Sequence, residues 1–217
     1  MILIPVKKLA YAKQRLAAVL DQSTRTELAQ AMLTDVLEAV AGWRGRPEVG
    51  VVTSDFFAMD LSRRLGFEVI PDEANRSETD AIEMATEVCR GRGVGSTLVI
   101  PGDIPLLRAD ELERVMGAAP DEGSVLVPAR DGRGTNAALR RPAGLFPLRF
   151  GNDSFKPHLA AARASGKSCV VLSLPGIGLD IDSPSDLRQL AEAPGESRSQ
   201  LMARQWDLAD IAVAANE

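Results

Sequence analysis

Short apolar, β-rich runs alternate along the chain with longer amphipathic stretches, and this rhythm restricts the fold more than any other feature. Ile2–Val6, Val49–Thr53, Phe67–Ile70, Thr97–Ile100, Ser124–Val127 and Cys169–Leu174 read as strands. Between them, Thr24–Ala41, Asp55–Leu65, Thr79–Arg92, Asp110–Ala118, Ser154–Ser165 and Ser183–Ala193 read as helices. Thr24 with Glu27 offers a capping box. Ser183-Pro184-Ser185-Asp186 combines an N-cap serine, a first-position proline and an early negative charge. Strand–helix alternation predicts an α/β fold, a mostly parallel sheet with helices on both faces.

Two stretches break the rhythm. Residues 129–153 read as a loop, a short strand over Ala137–Arg140 and a second loop, an inserted β/loop lid over one end of the sheet. Pro194-Gly195-Glu196-Ser197 then separates a domain spanning 1–193 from a tail over 194–217. The tail is predicted to be helical from Leu201 to Ala215, with Leu201, Leu208 and Ile211 on one face and Trp206 less well placed.

Composition removes several functional classes. A net charge of −5 and 4% aromatic residues leave neither a basic footprint nor stacking platforms for nucleic acid. Nothing approaches 18 consecutive apolar residues, so no membrane span is expected. The lysines at 7 and 8 make the first segment a strand rather than a secretory signal. Cys89 and Cys169 stand apart without CxxC spacing, which suits a reducing, cytoplasmic setting. A single histidine, His158, rules out chemistry needing two or three imidazoles. His158 itself reads as structural or solvated. Catalytic groups must then be carboxylates, cations and backbone.

Asp103 follows Pro101-Gly102 at the end of a buried run, where open α/β sheets bind ligands. Asp180 and Asp182 share one side of an extended segment, with Ile181 on the other, and two such carboxylates suit a hard divalent cation. Lys7, Lys8, Lys13 and Arg15 cluster after the first strand and suggest an anion site. Thr135-Asn136 and the Phe150–Phe155 loop supply hydroxyls, amides and permissive glycines that suit a phosphate or carboxylate. Each has a plainer reading, and the residues alone leave both open: Asp103 as a turn aspartate, Asp180 and Asp182 as turn and helix-terminus acids, the cations as a solvated face, Ser154 as a helix cap. No Walker A or GxGxxG motif is present.

Taken in order, Val6-Lys-Lys-Leu with Ala12-Lys-Gln-Arg-Leu16, Pro101-Gly-Asp103-Ile-Pro-Leu, Gly134-Thr-Asn-Ala-Ala-Leu139, Phe150-Gly-Asn-Asp-Ser-Phe-Lys-Pro-His158 and Leu179-Asp-Ile-Asp-Ser-Pro-Ser-Asp-Leu187 resemble a known family. It is the 2-phospholactate or phosphoenolpyruvate guanylyltransferases of deazaflavin coenzyme F(420) biosynthesis, matched over roughly residues 1–190. The resemblance implies a nucleotidyltransferase domain with a Rossmann-like sheet, which moves GMP from GTP onto a three-carbon phosphocarboxylate: phosphoenolpyruvate, 3-phosphoglycerate or 2-phospholactate. It implies magnesium on Asp103 and Asp180, with Lys13 beside them in catalysis. Nucleotide contacts would come from Lys13, Arg15 and the regions of Thr53 and Asp80, and acceptor contacts from Thr135, Gly151 and Ser154. A downstream deazaflavin transferase would take the product.

One departure stands out. Relatives often carry Leu-Asn where this chain has Thr79-Asp80, and Asp80 replaces a donor–acceptor with an acceptor only. That change is expected to alter nucleotide contacts or acceptor choice. Rival readings are a molybdopterin guanylyltransferase or cytidylyltransferase, and a non-catalytic GTP-binding subunit. The Lys-Lys-Leu-Ala-Tyr-Ala opening counts against the first two, which usually open with a Gly-Gly loop and Arg-Met-Gly.

Overall fold

The computed structural model describes residues 1–74, 76–151 and 153–206. The apolar runs form β1 (Ile2–Val6), β2 (Val49–Thr53), β3 (Glu68–Pro71), β4 (Thr97–Val99), β5 (Gly123–Pro128), β6 (Thr135–Arg141) and β7 (Ser168–Val171). They join in one sheet, ordered β3-β2-β1-β4-β6-β5-β7. All pairings are parallel except those of β6, which runs antiparallel between β4 and β5. The amphipathic stretches form α1 (Gln22–Gly42), α2 (Phe56–Arg64), α3 (Glu78–Gly91), α4 (Ala109–Gly117), α5 (Phe155–Ala164) and α7 (Pro184–Glu192), with a one-turn α6 (Pro175–Gly178) and a final α8 (Arg198–Gln205).

Strand periodicity divides the core into two faces. Ile2, Ile4 and Val6 of β1 pack with Leu33, Leu37 and Val40 of α1, while Leu3 points the other way, toward Ile82 and Ala85 of α3. The opposite flank of α1 buries Leu28 and Met32 against Leu187 and Leu190 of α7. A helix sandwiched in this way anchors everything around it; truncating Met32 to Ala would cost about 2–5 kcal/mol.

Four local expectations change. The α1 cap is Asp21, whose side chain accepts from Thr24 N at 2.8 Å, so the helix starts before the Thr24–Glu27 pair. Phe67 packs into the core ahead of β3 instead of opening it. The strand within 129–153 enters the sheet itself, fully burying Arg140, whose guanidinium donates to Phe146 O and Thr86 Oγ1. Only the loop before it and the far end of the loop after it, from Phe150, reach the cleft end of the sheet. Finally, α8 begins at Arg198, and Ser199 donates from N and Oγ to Asp35 Oδ2 at 2.9 and 2.6 Å. That polar clasp, with Ala203, docks the helix on α1 and α7 and leaves Leu201 exposed. Leu208 and Ile211 lie outside the described residues. The Ser183 cap forms as read, with Asp186 completing a capping box.

Among the described residues, no helix is long and apolar enough to cross a membrane.

Candidate active site

A cleft of about 870 Å³ opens where the parallel strands end. The peptide leaving β4 turns at Pro101-Gly102, with Gly102 lying close on Leu33 of α1, and delivers Asp103 to the cleft. The peptide leaving β1 makes two 3-10 turns, Leu9–Tyr11 and Gln14–Leu16, with Lys13 between them. Lys13 adopts a left-handed backbone (φ 56°, ψ 40°), which costs a non-glycine residue about 1 kcal/mol. That conformation turns its side chain inward, where only 5% of it is exposed. Its Nζ lies 2.5 Å from Asp103 Oδ2 and 3.0 Å from Asp182 Oδ1.

The segment carrying Asp180 and Asp182 reaches this point through α6. A Cβ at Gly176 would meet Glu111 Oε2 and Leu106 O at 2.3 Å, so only glycine permits the turn. Gly176 N donates to Glu111 Oε1 at 2.8 Å. Ile181 N donates to Asp103 O at 3.3 Å, which holds the two acidic segments side by side. As the alternation predicted, Ile181 enters the core and both aspartates face the cleft. Asn136 of β6 donates to Ile177 O at 2.9 Å and Asp180 Oδ1 at 3.1 Å, so its amide steadies the acidic segment.

The charges are strongly coupled. Burial opposes the Lys13 ammonium, but the fields of Asp103 and Asp182 outweigh it and raise its pKa. Burial also works against the Asp182 carboxylate, yet Lys13 and Arg15 hold its pKa below the ordinary value; Arg15 Nη1 is 3.3 Å from Asp182 Oδ2. Asp180 shifts the other way: burial raises its pKa and the charges of Asp103 and Asp182 add to the rise, against the Asn136 hydrogen bond.

The facing wall presents neutral groups, flanked by the exposed Arg133–Asp153 ion pair at 2.6 Å. Ser154 Oγ accepts from Thr135 N at 3.1 Å, and His158 Nδ1 lies 2.9 Å from Thr135 Oγ1. Ser154 therefore does not cap α5 with its side chain. Gly151 adopts φ +132°, a conformation that side chains rarely reach. Phe150 N donates to Thr79 Oγ1 at 2.9 Å, tying this loop to α3.

The structure thus brings Lys13, Arg15, Asp103, Asp180, Thr135, Gly151 and Ser154 to one cleft. It leaves two other candidates outside. Thr53 is fully buried, and its Oγ1 accepts from Asp55 N at 2.9 Å. Asp80 is exposed in the first turn of α3, where Ser77 Oγ donates to its carboxylate at 2.7 Å, beside a separate shallow groove. The neighbouring carboxylate in the cleft is Glu78, which nothing in the sequence singled out. Burial and the charge of Asp103 push its pKa up to about 7, against Lys7 and Lys13. An acid at the start of a helix reads as a cap from sequence, and only the packing of α3 against the cleft reveals it.

Residues 1–202 match the family described as guanylyl transferase CofC like. The chain belongs to this family. A phosphoenolpyruvate guanylyltransferase of Roseiflexus castenholzii is 38% identical over 204 residues, covering 94% of this chain and 93% of that protein. Its counterpart in Rubrobacter xylanophilus is 36% identical over 197 residues, covering 88% and 93%. Among solved structures, a protein from Desulfovibrio desulfuricans G20 assigned as a nucleotide-diphospho-sugar transferase superposes with a TM-score of 0.77 at 17% identity, covering 99% and 96%. A cytidylyltransferase from Leptospira borgpetersenii gives 0.57 at 13% identity, covering 99% and 94%. The sheet therefore has the same fold as these two proteins, with the cleft at its carboxyl edge.

Proposed function

We propose that this chain transfers GMP from GTP to the phosphate of phosphoenolpyruvate, releasing pyrophosphate, on the route to coenzyme F(420). The observation that carries this reading is the cleft itself, in which a lysine held between two aspartates faces a pair of buried hydroxyls. The names of the relatives favour phosphoenolpyruvate over 3-phosphoglycerate and 2-phospholactate as the acceptor.

The reaction asks little acid–base chemistry of the protein. A phosphomonoester has its second pKa near ~6, so the acceptor is already nucleophilic at neutral pH. One of its oxygens attacks the α-phosphorus of GTP, the bond from that phosphorus to the bridging oxygen breaks, and pyrophosphate leaves with the electron pair. Lys13 and Arg15 offer positive charge for the nucleotide phosphates, while Thr135, Gly151 and Ser154 hold the acceptor in line.

The donor set suits magnesium. Among the described residues no group of three or more His, Cys, Asp or Glu is gathered to hold an ion unaided. Magnesium does not require one: it takes one or two carboxylates and completes its shell with water and substrate phosphate. Asp103 and Asp180 would hold it, with Asp182 alongside; burial first, and then the charges of Asp103 and Asp182, raise the Asp180 pKa, and a cation would offset both. When bound, the ion neutralises charge on the phosphoryl oxygens.

The test is pyrophosphate release with GTP and magnesium, run in parallel with the three acceptors and with CTP in place of GTP. Release with GTP and phosphoenolpyruvate is expected. Silence with every acceptor would overturn the reading, and release with CTP would favour the cytidylyltransferase rival.

A further inference from the structure

His158 is absent from the cleft lining, yet it is fully buried directly behind it, and each of its ring nitrogens has a partner. Nε2 lies 2.7 Å from the backbone N of Arg149. A backbone amide can only donate, so Nε2 must carry the lone pair. A neutral imidazole has one proton, which then sits on Nδ1 and is donated to Thr135 Oγ1, 2.9 Å away. Reversing that bond would set two N–H groups against each other at Arg149. The protonated ring would do the same, beside the Arg140 guanidinium.

The consequence lies on the far side of the hydroxyl. Thr135 Oγ1 has one hydrogen, and its oxygen already accepts from the imidazole. Ser154 is matched to it: its Oγ already accepts from Thr135 N at 3.1 Å. Each oxygen takes one hydrogen bond from behind, and neither hydrogen is spent on these partners, so both are left for the cleft. Two hydroxyls with free hydrogens favour an anionic oxygen as their ligand. Phe150 packs edge-on against the imidazole, ring centroids 5.2 Å apart, and limits its rotation.

We infer that His158 is a positioning residue: as its Nδ1–H tautomer it turns the Thr135 hydroxyl into a donor aimed at an anionic phosphate or carboxylate oxygen of the acceptor. The inference rests on the reading of this wall as the acceptor's side.

The chain contains one histidine, so long-range ¹H–¹⁵N spectra of the labelled protein show a single imidazole. At pH 7 the expected pattern is a protonated Nδ1 and an unprotonated Nε2. The Nε2–H tautomer would overturn the inference. In kinetics, His158→Leu removes the donor, whereas His158→Asn keeps an N–H close to the position of Nδ1. The leucine variant should raise the acceptor KM by about tenfold to a hundredfold with GTP KM unchanged. Asparagine should recover most of that loss. Equal rises in both KM values, or no recovery by asparagine, would reduce His158 to a packing residue. If leucine prevents folding, the wild-type spectrum still decides the tautomer. Inorganic phosphate separates this inference from the transferase reading. If phosphate shifts the imidazole signals of the wild type but not of Thr135→Val, while no acceptor yields pyrophosphate, the positioning role stands and the transferase reading falls. Phosphate leaving the wild-type signals unmoved would overturn the role itself.

Discussion

The two walls of the cleft are built on opposite electrostatic plans. On one, Lys13, Asp103, Asp180, Asp182 and Arg15 crowd full charges together, and every shifted pKa there is traceable to a neighbour's charge as well as to burial. On the other, Thr135, Ser154 and His158 are almost completely buried and satisfied by neutral hydrogen bonds. Concentrated charge stabilises charge that develops during phosphoryl transfer. Neutral, rotationally fixed donors sort one small anion from another and respond weakly to salt. Under the proposed function, the difference assigns turnover and acceptor recognition to separate structures, which should then fail separately.

The most damaging changes should be on the charged wall. Asp103→Asn or Asp180→Asn preserves shape, and turnover is expected to fall by at least ~10²–10³-fold with the fold intact by circular dichroism. Lys13→Met should cost comparable activity and also stability, because Asp103 and Asp182 then face each other without their shared cation. With those carboxylates 34% and 41% exposed, the loss should be about 2 kcal/mol, below the ~3–5 of a fully buried pair. Urea unfolding of the lysine variant measures it. Full activity in any of these variants would remove that side chain from the charged wall's role.

Across the cleft the expected loss is smaller and of another kind. Thr135→Val should raise the acceptor KM roughly tenfold or more while sparing GTP KM and most of kcat. A matching rise in GTP KM would erase the division between the walls.

A pH effect on stability is expected as well. Burial and the nearby Arg140 lower the His158 pKa from 6.5 to about 4. Between those values the unfolded chain binds the extra proton, so this contribution is fully present above about pH 6.5 and is lost as pH falls toward 4. It amounts to about 3 kcal/mol. Urea unfolding of wild type and His158→Asn should show their stability difference narrowing over that window; a constant difference would contradict the burial argument.

The smallest effect is expected at Asp80. It sits outside the cleft, so Asp80→Asn should leave the acceptor KM within about twofold. Changed acceptor choice would restore the expectation drawn from the Thr79-Asp80 departure.

Most of the sheet was legible because its signals are local. The apolar runs Ile2–Val6 and Val49–Thr53 match the observed strands residue for residue, and both are buried throughout. The chain reversal that puts β6 between β4 and β5 was not legible, because Arg140 resembles a surface residue until its hydrogen bonds to Phe146 O and Thr86 are seen. In the site, Asp103 was readable from its position after a buried run, and Asp180 from its alternation with Ile181 and Asp182. Their approach through Ile181 N was not, since 78 positions separate Asp103 from Ile181. The region of Thr53 came from the family resemblance alone, and in the structure the turn at Asp55 uses the Thr53 hydroxyl. Glu78 and the working tautomer of His158 depend on packing between distant segments, which residue type alone does not encode.

The central claim, that this cleft joins GMP to an acceptor phosphate, is tested most directly by ³¹P NMR of a mixture of the protein, GTP, magnesium and phosphoenolpyruvate. The account predicts loss of the phosphoenolpyruvate resonance, growth of two coupled resonances from a new phosphate–phosphate linkage, and release of pyrophosphate. Persistence of the phosphoenolpyruvate signal while GTP is hydrolysed, or while nothing changes, would contradict it.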